Sequence, residues 1–119
     1  LGELVDKISI LHIKNLNIKD DDKLKLIREE LDILNTILDE HIKSDDIKKY
    51  LNELININSK LWVIEDDIRE CERKKIFDQT FIDLARSVYF TNDNRSKVKL
   101  DINKKFGSKI IEVKSYEDY

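Results

Sequence analysis

Four of the five arginines, Arg69, Arg73, Arg86 and Arg95, fall between Leu61 and Arg95, among Glu65, Asp66, Asp67, Glu70 and Glu72. Elsewhere lysine is the default cation, with 17 in the chain. A guanidinium is a rigid planar fork that grips a carboxylate or phosphate at two points, whereas an ammonium is a mobile point charge. Clustering of the rarer cation points to constrained geometry, and two kinds of chemistry follow. Glu65, Asp66 and Glu72 with Arg69, Arg86 and Arg95 read first as a structural ion-pair network, the commoner origin of such clusters. The functional alternative is a pocket for a small anionic ligand (a sugar phosphate, nucleotide or dicarboxylate), with Trp62 or Tyr89 as its planar wall. Arg95 continues the apolar line Val98, Ile102 and Phe106. A charge at the margin of a core face needs a partner, and Glu65 or Glu72 is the expected one.

Other reactive residues offer less. His12 sits on an apolar face beside Ile8 and Leu11 with no evident Ser or carboxylate partner, so a packed neutral imidazole is expected. Asp20-Asp21-Asp22 lacks the twelve-residue ligand spacing and central Gly of a calcium loop, and reads as a loop and helix cap. The single Cys71 excludes an internal disulfide and a Cys-based zinc site. No metal or cofactor is expected. Two enzyme readings stay incomplete: a chorismate-mutase-like cage of cations, and a nucleotide pyrophosphohydrolase built on Glu65, Asp66 and Glu70, for which no matching acidic partner helix is visible.

The elements that must position these groups are helices. The chain of 119 residues has no Pro, and its two Gly stand at positions 2 and 107. This length suits one domain, 1–119, with a single core. The expected fold is all-α: a helical hairpin, one long helix, two shorter C-terminal helices and a short extended tail. Helix one spans Gly2 to about Asn17, with Leu4, Val5, Ile8 and Leu11 inward. Helix two follows the acidic cap to about Ile42 on the stripe Leu24, Ile27, Leu31, Leu34 and Leu38, widened by Ile33 and Ile37. Ser44 caps helix three, which reaches about Lys75 along Tyr50, Leu54, Ile57, Leu61, Ile64, Ile68 and Cys71, spaced four and three alternately. Asp78 caps a fourth helix to Phe90, and Thr91-Asn92-Asp93 reads as a turn and cap before a fifth helix that Gly107 stops. Ile111 and Val113 alternate as a short strand does.

Net charge is −3, which gives no general pull toward nucleic acid or anionic membranes. The basic run Arg95–Lys109 holds a single aromatic, Phe106, which belongs to the apolar line, and its cations read as a solvated face. No signal peptide or membrane-spanning run is visible, and a cytoplasmic protein is expected. The apolar surface exceeds what one bundle layer hides, so a homodimer serving an interaction or assembly role is expected.

The blocks GELVDKISILHIK, LWVIEDDIRECE and FIDLARSVYFTNDNR, with INKKFGS and VKSY, resemble an uncharacterised bacterial family of unknown function over nearly the whole chain. The resemblance implies an association with cell-surface glycan genes and a few residues ahead of the GEL block, forming a strand that pairs with Ile110–Val113. It brings no catalytic residues.

Overall fold

The computed structural model describes residues 1–42 and 45–106 as four helices: α1 Gly2–Asn17, α2 Asp21–His41, α3 Asp46–Lys74 and α4 Gln79–Phe106. The all-α expectation holds. Ser44, Gly107 and the expected strand at Ile110–Val113 lie outside the described residues. No described helix is long and apolar enough to cross a membrane.

Local chemistry explains the boundaries. Asp20 Oδ1 accepts from the backbone N–H groups of Asp22 and Lys23 at 3.0 and 3.1 Å, so the acidic triplet is a cap. At the end of α3, Lys75 takes a left-handed conformation (φ 55°, ψ 38°), and its N–H reaches the Cys71 and Glu72 carbonyls. Asp78 Oδ1 then accepts from Phe81 N at 3.2 Å and starts α4.

One expectation needs correction. Thr91-Asn92-Asp93 is not a turn: α4 runs through it without a break for 28 residues. These side chains favour caps because they compete for backbone hydrogen bonds, but that preference is a fraction of a kcal/mol per residue. No Pro or Gly enforces a break, and all three residues are half-buried, so packing decides.

Helix α1 is the hub: it packs on α2, α3 and α4, whereas α2 packs on α1 alone. Where α1, α3 and α4 meet, Val5, Ile8, Leu54 and Ile102 are fully buried, with Val98 and Ile47 beside them. On the outer flank of α1, Ile27, Leu31 and Leu38 of α2 close the core. Ile33, expected to widen the α2 stripe inward, is 60% exposed.

Helix lengths dictate the shape. At about 1.5 Å per residue, α1 spans about 24 Å and α3 about 44 Å, so α1 covers only half of the α3–α4 hairpin. The result is a flat molecule of 48 × 41 × 21 Å. Its body contains α1, α2 and the basal halves of α3 and α4. The distal hairpin, roughly residues 62–92, forms an arm in which no residue is fully buried.

Candidate functional site

Among the described residues, the buried polar side chains gather in the body. On α1, Gly2, Asp6, Ser9 and Ile13 follow one another by four, three and four, and all are buried. This spacing puts a carboxylate and a hydroxyl on a face that packs against α3 and α4. Asp6 Oδ1 accepts from Arg95 Nε at 2.9 Å, and Oδ2 accepts from Arg95 Nη2, a two-point grip between α1 and α4. Asn58 Nδ2 of α3 donates to Asp6 Oδ1 at 2.9 Å and to Ser9 Oγ at 2.8 Å. Ser9 Oγ donates to the Asp6 carbonyl at 2.6 Å.

Along the same seam, the Gly2 N–H donates to Asn103 Oδ1 at 2.8 Å, giving an otherwise orphaned N–H of the first turn a partner on α4. Lys99 buries its stem and meets Glu3 Oε1 at 2.6 Å near the surface. A Cβ at Gly2 would come 2.5 Å from the Lys99 carbonyl oxygen, so glycine sets how closely α1 and α4 approach. Among the described residues, every buried side-chain polar atom has a partner. The constellation is therefore a clamp on three helices. Ser9 is fully buried and its hydroxyl is committed to a carbonyl, which denies it the role of nucleophile.

The residues expected from sequence are dispersed. Arg95 pairs with Asp6, not with Glu65 or Glu72, because it stands on the basal half of α4 opposite α1. Glu65 is 3.8 Å from Arg69, and Glu72 is 2.7 Å from Lys75. Arg73 pairs with Glu70, whose carboxyl is held below its ordinary 4.5 first by that hydrogen bond and then by the charge of Arg73. These are i,i+3 and i,i+4 partners on one helix surface, each worth a few tenths of a kcal/mol. Arg86 lies over the Phe90 ring at 5.9 Å, and Tyr89 packs on Phe90 with centroids 5.2 Å apart. Trp62 is half-buried and Asp66 exposed. Of these candidates, Arg95 alone borders a cavity of about 650 Å³ beside α1, which Glu30 of α2 also lines.

A smaller groove of about 310 Å³ opens at the tip of the arm, among Asp67, Cys71, Ile76 and Leu84. The described residues hold no group of three or more His, Cys, Asp or Glu suited to a metal ion.

Sequence reasoning missed Asp6 and Ser9. The usable signal was the spacing from Gly2 to Ile13, which puts both at core positions of a helix whose other inward residues are aliphatic. Asn58 gave a similar signal on the line from Leu54 to Leu61.

Among the described residues, fold and clamp define four helices, the first locked to the last by an ion pair whose carboxylate is buried. The chain belongs to a family of unknown function (DUF6165), whose sequence profile matches residues 2–119. Comparison with curated proteins and with solved structures finds no match.

Proposed function

We propose that the protein is a helical assembly module that joins two copies of itself through the arm. The observation that supports this is the exposure, by 39–58%, of Val63, Ile76, Phe77, Ile82, Tyr89 and Phe90 on the half of the hairpin that α1, among the described helices, is too short to cover. Burying the exposed half of such a side chain is worth about 1 kcal/mol. Two-fold symmetry uses every residue twice. The sum, about 12 kcal/mol, exceeds the low end of the roughly 4–15 kcal/mol that association costs by about 8 kcal/mol, so the dimer is expected to be micromolar at the tightest.

The stripe from Tyr50 to Cys71 is not the dimer surface in this reading. Its basal members Leu54 and Leu61 are buried within the chain, and its distal members Ile64, Ile68 and Cys71 are half-buried. Sedimentation equilibrium across the micromolar range is the test. Wild type should dimerise, and Ile82→Ser with Phe90→Ser should be monomeric. Leu26→Ser with Ile33→Ser, which removes the other exposed apolar pair on α2, should leave the dimer intact. A monomer at every concentration ends this reading.

A further inference from the structure

The cavity beside α1 has a chemical bias of its own. Glu3, Lys7, Ile10 and Lys14 line it at spacings of four, three and four, one strip of the α1 surface, with Leu4 and Leu11 alongside. Its charges are largely matched: Glu3 with Lys99, Asp6 with Arg95, and Lys7 with Glu30 at 3.0 Å. Lys14 is the exception, with no carboxylate partner among the described residues. An apolar floor of Leu4, Ile10 and Leu11 thus ends in one unmatched cation. A volume of about 650 Å³ lies within the range of small-molecule sites.

We infer that this cavity binds an amphipathic anion: a phosphate or carboxylate held by Lys14, with an apolar body lying along Leu4, Ile10 and Leu11. The floor explains why a bare anion is a poor ligand. One ammonium at a partly solvated site gives little affinity for an ion that is well hydrated in water. The body adds about 0.8 kcal/mol per methylene removed from water, and the head fixes its direction. From Leu4 to Lys14 is about 15 Å along the helix, room for a medium-length chain.

Titration calorimetry with octyl phosphate, inorganic phosphate and octyl glucoside separates the contributions of head and body, each below its micelle concentration. Octyl phosphate should bind with one site per chain, and neither of the other two should bind at the same concentration. Lys14→Gln should weaken octyl phosphate about tenfold, the loss of one hydrogen bond to a charged group. Lys14→Arg should retain binding, and Ile10→Asn should weaken it with helicity by circular dichroism unchanged. Ile33→Ser on α2, exposed and outside both the cavity lining and the arm, is the control for general adsorption and should leave binding as it was. Equal affinity in Lys14→Gln, loss of binding in Ile33→Ser, or equal binding of inorganic phosphate would each overturn the assignment. So would the absence of any heat.

Discussion

The body and the arm are built from the same two helices, yet they use charge in opposite ways. In the body, a single carboxylate, Asp6, is 2% exposed and gathers donors from α3 and α4. In the arm, Glu65, Glu70 and Glu72 each pair with a cation on their own helix, three or four residues away. A pair within one helix says nothing about where that helix sits. A buried pair between helices excludes other packings, because any slip leaves a charge without a partner. The body is thus specified by polar contacts, whereas the arm is specified only by its hairpin and its apolar side chains.

The sharpest way to break that contrast is to remove apolar volume from each region. Leu54→Ala in the body should cost about 2–5 kcal/mol in chemical denaturation. Val63→Ala, 58% exposed on the same helix, should stay within about 0.5 kcal/mol. Similar losses at both sites would mean that the arm is part of the core and that the division is false.

A second comparison concerns the ion pairs. Asp6→Asn and Arg95→Met should each cost about 3 kcal/mol, toward the low end for a buried pair because Arg95 keeps 28% of its side-chain surface in water. The double mutant should fall short of the sum by at least about 1 kcal/mol. The matched cycle on Glu65→Gln and Arg69→Met should show coupling under about 0.5 kcal/mol. Additivity at Asp6 and Arg95 would remove the clamp from the account.

Gly2→Ala sharpens the seam. Helix propensity alone would favour alanine by about 1 kcal/mol. The 2.5 Å approach of the new Cβ to a backbone oxygen should reverse the sign, with a net loss of about 1–2 kcal/mol. A stabilised variant would show that α1 and α4 can move apart freely. The smallest effect belongs to the arm, where Lys75→Gly should relieve the left-handed residue and raise stability by about 1 kcal/mol or less. The surface contact with Glu72 that it forfeits is worth little. A loss there would mean that the Lys75 side chain does more than cap its helix.

Much of the fold was legible in the sequence because long amphipathic stripes and strong caps carry their information locally. The start of α1, the Asp20 cap and the end of α3 were all readable for that reason. The continuity of α4 was not, because Thr91-Asn92-Asp93 has a weak local preference that tertiary packing overrides. The site was harder still. Arg95 was rightly placed at the edge of a core face, but its partner lies 89 residues away, and no spacing rule reaches that far. Nearer carboxylates at Glu65 and Glu72 drew the assignment, although both find lysine or arginine on their own helix. Whether a cluster of Arg and Glu seals itself depends on which turns face each other, and that is tertiary information.

The distance in sequence between Asp6 and Arg95 also orders events in time. The α3–α4 hairpin closes over a short connection between Lys74 and Gln79, so its loop entropy is small. The contacts from α1 to α4 close loops of 89 and 101 residues and cannot form until the last helix exists. On a ribosome, α1 leaves first, and Asp6 lacks its Arg95 partner until α4 emerges. During refolding, pulse-labelled amide exchange should protect α3 and α4 before α1. A chain in this state has a finished arm on an unfinished body, so a partner able to grip the arm would meet it before the clamp has shut.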